Sequence, residues 1–97
     1  MINDYLKKIE SDENVRQNLI EFRKEIKAEK GRNEWQRDRQ RCLSLMLKLL
    51  KHEDAKVRKN AALILGEMGC QDALDALFYA YECEEKLFVK SAYLTAF

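Results

Sequence analysis

The second half of the chain repeats its own apolar pattern at an interval of 31 residues. When the segment that begins at Cys42 is moved forward by this interval, apolar residues fall on apolar residues without a gap. The acid of the intervening turn, Asp54, falls on a second acid, Glu85. The matched apolar pairs are Cys42 with Ala73, Leu43 with Leu74, Met46 with Leu77, Leu47 with Phe78, Leu50 with Tyr81, Val57 with Phe88, Ala61 with Ala92 and Leu63 with Leu94. An internal period of about 20 to 50 residues indicates stacked repeats, in which each unit covers the apolar face of its neighbour.

Composition restricts these repeats to helices. The 97 residues include no proline and only three glycines, so the turns that a β-rich chain needs are missing. Leu, Ala, Lys, Glu and Arg dominate the chain, and all five are strong helix formers. We therefore predict an all-α fold of stacked antiparallel helix pairs. Apolar periodicity predicts about six helices, over residues 2–10, 12–29, 34–50, 55–68, 73–81 and from 86 onward.

Polar residues and glycines mark the predicted helix ends. Ser11 and Asp12 signal the start of the second helix, and Gly31 signals its end. Asn33 is placed to cap the third helix. Asp54 is a good N-cap for the fourth helix, because its side chain can accept hydrogen bonds from the first free amides. The remaining boundary residues are Gly69 and Cys70 after the fourth helix and Asp72 before the fifth.

The turn and helix around Asp54 resemble a known repeat. The matching residues are Asp54, Val57, Arg58, Ala61, Ala62, Leu65 and Gly66. This string is similar to a HEAT repeat of the short bacterial type, and the resemblance implies an α-solenoid that presents a helical binding surface. It also implies that Asp54 and Arg58 tie the inter-helix turn together. Their i,i+4 spacing is suitable for a supporting ion pair.

The resemblance divides the chain into three units that form one structural domain. Residues 1–31 are an N-terminal helical pair, in which Asp12, Val15 and Arg16 echo the repeat as a degenerate cap. Residues 32–71 are the well-matched repeat, and residues 72–97 are a second, truncated copy. In that copy Val89 stands in the place of Arg58, and Lys90 is the candidate replacement cation. We expect the chain to be the N-terminal piece of a longer protein, because its last helix ends without a polar face.

Charge provides an alternative functional hypothesis. The net charge is only +1, but residues 16–41 contain nine Lys or Arg against five Asp or Glu. Such a basic region can neutralise phosphates, and Trp35 could stack on a base. The candidate nucleic-acid contacts are Arg23, Lys27, Lys30, Arg32, Trp35, Arg37, Arg39 and Arg41. A solvated helix face, with acids interspersed among the cations, is the interpretation that we favour over this one.

The sequence carries no catalytic or metal-binding pattern. His52 is the single histidine, and the three cysteines stand at no metal-ligand spacing. We therefore expect no enzymatic activity, no cofactor and no metal, and we expect reduced thiols and a cytoplasmic location. The apolar runs are too short to span a membrane. The expected partner is another protein or the chain's own downstream domain, with self-association through the C-terminal end.

Overall fold

A computed structural model describes residues 2–28, 39–69 and 71–96 of the chain. These residues form six α-helices and no strand. The helices are α1 (Ile2–Glu10), α2 (Val15–Ala28), α3 (Arg39–Leu49), α4 (Ala55–Met68), α5 (Leu74–Cys83) and α6 (Leu87–Ala96). A single 3-10 turn, Gln71–Ala73, precedes α5. The all-α prediction and the number of helices are confirmed.

Helix α4 has the ends that its sequence predicts. Asp54 is its N-cap, and the carboxylate accepts a hydrogen bond of 2.9 Å from the backbone N–H of Lys56. Gly69 closes the other end in the left-handed conformation, with φ of 63°, and its N–H donates to the carbonyl of Gly66. The Cβ atom of any other residue makes this conformation sterically unfavourable, so glycine is favoured there.

Other helix boundaries differ from the prediction. Helix α2 begins at Val15 rather than near Asp12, because Asp12 and Asn14 both have positive φ angles, 60° and 40°, and form the preceding turn. Asp and Asn tolerate this conformation better than other non-glycine residues. The predicted stop at Gly31, the cap at Asn33 and the first part of the third helix lie outside the described residues.

Helix α4 lies at the centre of the structure. It packs against α2 on one side, against α6 on the other and against its own pair-mate α3. Helix α1 packs against α2, and α5 packs against α6. The second helices of the three pairs therefore form one continuous layer. The largest fully buried side chains in the core are Leu6, Leu19, Phe22, Ile26, Met46, Val57, Ile64, Leu65, Leu77, Val89 and Tyr93.

Helices α4 and α6 are in close contact at Gly66. A Cβ placed on Gly66 would lie 2.8 Å from the Cα of Ala96 and 3.0 Å from its Cβ. Real side chains do not sit this close to a backbone atom, so the contact depends on the absence of a side chain at position 66. The glycine of the repeat pattern therefore fixes the distance between two successive pairs.

The last helix sits one residue out of the register that the 31-residue interval predicts. That interval places Phe88 in the buried position of Val57, but the structure buries Val89 and leaves 47% of Phe88 exposed. The carbonyl of Asp54 accepts from the N–H groups of Val57 and Arg58, and the carbonyl of Lys86 accepts from those of Val89 and Lys90. The start of α6 thus follows the start of α4 with an interval of 32 residues.

Candidate interaction surfaces

Arg58 joins two successive inter-helix turns. Its Nη1 atom donates to the carbonyl oxygens of His52 at 2.8 Å and Glu53 at 3.0 Å, in the turn between α3 and α4. Its Nε and Nη2 atoms donate to the two carboxylate oxygens of Glu84, at 2.8 Å and 3.1 Å, in the turn between α5 and α6. This bidentate pair is well shielded, because the Glu84 side chain is only 4% exposed. The hydrogen bonds from Arg58 lower the pKa of Glu84 despite its burial.

Glu84 is the residue of this turn that sequence reasoning missed. The 31-residue interval selects Glu85 as the equivalent of Asp54, yet Glu84 is the buried acid. Its carboxylate also accepts from the backbone N–H groups of Glu85 and Lys86, as the carboxylate of Asp54 accepts from that of Lys56. The signal available in the sequence is the cluster of three acids in this turn, which does not distinguish among its members.

Asp54 has an ion-pair partner in the preceding helical pair. Arg16, in the first turn of α2, donates through Nε to the Asp54 carboxylate, and this hydrogen bond lowers the pKa of Asp54. Asp54 and Arg58 both form hydrogen bonds with the backbone near the predicted turn. Each forms its ion pair with a neighbouring unit: Asp54 with Arg16, and Arg58 with Glu84. In both cases the arginine of one unit pairs with an acid in the turn of the next unit.

Three of the four described candidates for nucleic-acid contact face acids. Arg23 and Lys27 both lie near the Glu67 carboxylate of α4, at 3.5 Å and 3.8 Å. Arg41 pairs with Glu10 of α1, at 3.2 Å through its Nε atom. Arg39 is half-buried at the start of α3. The other candidates, Lys30, Arg32, Trp35 and Arg37, lie outside the described residues.

A groove with a volume of about 550 Å³ separates α3 from α5. Leu47 of α3 and Leu50, the residue that follows α3, form one wall, while Ala76, Tyr79 and Ala80 form the wall on α5. Its charged residues are Lys51, Arg58, Asp75, Glu84, Glu85 and Lys86. This volume lies within the range of about 300–1,000 Å³ that is usual for ligand pockets.

The open edge of α6 carries large apolar side chains. Leu94 precedes Ala96 by two residues, so it points about 160° away from the side of α6 that meets α4, and Leu87 points about 180° away. Leu87 is 83% exposed and Leu94 is 59% exposed. Phe78, on the neighbouring helix α5, is 54% exposed. We call Phe78, Leu87 and Leu94 the apolar edge.

The single histidine has a structural role in its turn. The Nδ1 atom of His52 accepts a hydrogen bond of 3.0 Å from the backbone N–H of Asp54.

Cys42 is buried in the core, whereas Cys83 is exposed beside the groove. Within residues 2–28, 39–69 and 71–96, no three His, Cys, Asp or Glu side chains are grouped closely enough to hold a metal ion. In that same part of the chain, no helix is both long and apolar enough to cross a membrane.

Stacked helical pairs whose second helices form a continuous layer, with cation–acid pairs between successive turns, define an α-solenoid repeat protein. The family model for HEAT repeats matches residues 3–96, so the chain belongs to the HEAT-repeat family. Members of this family generally mediate protein interaction or act as scaffolds, and they are typically non-catalytic. No curated protein and no solved structure matches the chain.

Proposed function

We propose that the chain is a non-catalytic protein-interaction module that binds through its apolar edge. The observation that supports this proposal most is the exposure of Leu87 and Leu94 on the side of α6 that faces away from α4. In this proposal, residues 1–31, 32–71 and 72–97 are three successive units, and the apolar edge is the outer face of the third unit.

Burial of this edge provides a driving force for association. Apolar surface removed from water contributes roughly 25 cal/mol per Å², and one buried aromatic side chain contributes about 150–250 Å² of area. Because α6 packs against α4 on its other side, a covering surface would extend the existing layer of second helices. Such a surface can come from a protein partner or from the same polypeptide. For the isolated chain, a second copy supplies it.

Self-association of the isolated chain tests the proposal. We expect light scattering coupled to size exclusion to give an average mass that rises with protein concentration. The double substitution L87E/L94E should keep the mass at that of one chain, because it puts two carboxylates on the edge. Thr95→Glu is the control for added charge, since it puts one carboxylate at an exposed position on another face of α6. A wild-type chain that stays monomeric at millimolar concentration would contradict the proposal.

Nucleic-acid binding by the basic region is the alternative function. Its support is weaker than that of the apolar edge, because Arg23, Lys27 and Arg41 already lie close to acids on neighbouring helices. A gel shift with a short RNA and a short DNA duplex at low and high salt separates the two functions. Binding that weakens steeply with salt would favour the alternative. Absence of binding at low salt would exclude it.

A further inference from the structure

The groove between α3 and α5 is larger than the gap of about 400 Å³ between α1 and α3, and α5 carries small residues where α3 carries large ones. At the 31-residue interval, Ala76 and Ala80 of α5 correspond to Leu45 and Leu49 of α3. Leu45 and Leu49 are buried at the preceding gap, between α1 and α3. Alanine side chains are too short to fill the equivalent gap between α3 and α5.

The preceding gap is also closed by an ion pair. Arg41 of α3 and Glu10 of α1 line that gap together and are joined by hydrogen bonds, at 3.2 Å through the Nε atom of the arginine. Between α3 and α5, the residues that line the groove form no such bridge: Arg58 and Glu84 pair with each other at its end. The gap between α1 and α3, of about 400 Å³, is therefore narrower and is bridged by an ion pair, whereas the gap between α3 and α5, of about 550 Å³, is wider and has alanines on one wall.

The open groove has the length and the walls for a short helix. Its lining on α5 extends over nine residues, from Asp75 to Cys83, which corresponds to a rise of about 12 Å or just over two turns. Leucines on α3 and alanines on α5 offer an apolar floor, on which side chains at i, i+4 and i+7 of an amphipathic helix can pack. Tyr79 is 67% exposed at the side of this floor.

The charges of the groove are sorted between its two ends. Lys51 and Lys86 lie at the end where α3 and α5 terminate, together with Glu85, whereas Asp75 lies at the start of α5. The C-terminal ends of two helices carry partial negative charge, so this end attracts the N-terminus of a third helix. Acidic residues favour the first turn of a helix, where the two lysines would meet them.

We propose that the groove between α3 and α5 binds one amphipathic helix of a protein partner, antiparallel to both, with an acidic first turn beside Lys51 and Lys86. This inference rests on the proposed interaction function and names a second surface for it. The guest helix places its apolar stripe over Ala76 and Ala80 and a basic residue of its last turn near Asp75.

A pair of designed peptides tests the proposal on the 97-residue chain. The first is a stapled helix with leucines at i, i+4 and i+7, two glutamates in its first turn and two lysines in its last turn. The second has the same composition with the glutamates and lysines exchanged. We expect fluorescence anisotropy to give a dissociation constant about fivefold lower for the first peptide, because its glutamates then lie beside Lys51 and Lys86 and its lysines lie near Asp75. Equal affinities, or no binding by either peptide, would overturn the proposal.

Filling the groove provides the decisive variant. The double substitution A76L/A80L gives α5 the leucines that α3 has, and we expect at least a tenfold loss of affinity for the first peptide. Ala28→Leu is the matched control, because it adds the same side chain to an exposed position of α2. Circular dichroism and the melting temperature establish that both variants are folded. Wild-type affinity in the folded A76L/A80L variant would overturn the proposal.

Charge reversal tests the orientation without touching the floor of the groove. Both lysines are exposed, so K51E/K86E should fold as the wild type does. We expect this variant to prefer the second peptide. An unchanged preference for the first peptide would overturn the proposed orientation and the proposal with it. None of these outcomes depends on the apolar edge, whose function is judged by the concentration dependence of mass and by L87E/L94E.

Discussion

The guanidinium group of Arg58 donates hydrogen bonds to four acceptors in two different turns. Its planar fork matches the two oxygens of a carboxylate, and lysine cannot reproduce this geometry. The pair with Glu84 therefore holds two successive units in one relative orientation, in addition to contributing stability. Lys90 occupies the equivalent position of α6, where its Nζ atom lies 5.0 Å from the centre of the Tyr81 ring.

Replacement of Arg58 with leucine should destabilise the fold strongly. The substitution leaves the Glu84 carboxylate buried without its cation, and such a loss typically costs about 3–5 kcal/mol. Urea unfolding followed by circular dichroism measures this cost. Arg16→Leu is the control, because it breaks an ion pair in which the arginine is 56% exposed. The Arg16 variant should lose much less stability, and equal losses would contradict the importance that we assign to burial of the pair.

The pH dependence of stability should include a contribution from Glu84. Its pKa is lowered from 4.5, chiefly by the hydrogen bonds from Arg58, so the folded state binds this proton more weakly than the unfolded state. The resulting stabilisation is complete above the unfolded-state pKa and is lost as the pH falls through the lower folded-state pKa. Glu84→Gln should therefore have a lower free energy of unfolding than the wild type at pH 7, and this difference should become smaller below about pH 4.5. Unfolding curves between pH 7 and pH 3 measure the difference.

At the scale of helices, α4 shows how far a sequence can specify structure. Its boundaries, its aspartate cap and its glycine stop all follow from local rules. The start of α6 does not, because the repeat interval cannot reveal that α6 begins 32 rather than 31 residues after α4. Val89 rather than Phe88 is therefore buried, and the buried acid of the turn is Glu84 rather than Glu85. Only packing against the earlier units decides between these registers.

The groove between α3 and α5 could have been predicted from the sequence. The 31-residue interval that matches Met46 with Leu77 also matches Leu45 with Ala76 and Leu49 with Ala80. A smaller side-chain volume at the equivalent positions of the second repeat indicates a larger gap there. The partners of Arg16 and Arg58 could not be predicted in this way, because both cations have several acids within the reach of a flexible side chain.

Gly66→Ala should weaken the contact between α4 and α6. A methyl group at this position meets the Cα of Ala96 at 2.8 Å, so the two helices must move apart. Overpacking of this kind costs about 1–3 kcal/mol, which exceeds the gain of roughly 1 kcal/mol in helix propensity. Ser91 is exposed on α6, so the difference in unfolding free energy between Ser91→Ala and Ser91→Gly measures the effect of helix propensity alone. If Gly66→Ala raised the free energy of unfolding by this same amount, the close contact would be disproved.

At the scale of the whole molecule, cohesion depends on α4. Because α4 packs against α2, α3 and α6, loss of its core contacts should affect every pair, whereas α1 packs chiefly against α2. Repeat proteins distribute stability between units and the interfaces that join them. The central unit therefore determines whether the described helices unfold together.

Native-state hydrogen exchange should separate these contributions. Ile64→Ala removes a fully buried side chain from the middle of α4 and should cost about 2–5 kcal/mol. We expect it to lower amide protection in α2, α4 and α6 alike. Leu6→Ala, which is equally buried in α1, should lower protection mainly in α1 and α2. Matching protection profiles for the two variants would contradict the central role of α4.

The close approach at Gly66 and Ala96 also has a mechanical consequence. It sets a pivot between the last two helical pairs on the side of the second helices, whereas the gap between α3 and α5 lies on the side of the first helices. The two sides are separated by one helix layer, about 10 Å. A helix bound in the gap would push α3 and α5 apart at this distance from the pivot and would bend the stack of helical pairs. Binding of the helix would therefore change the curvature of the array.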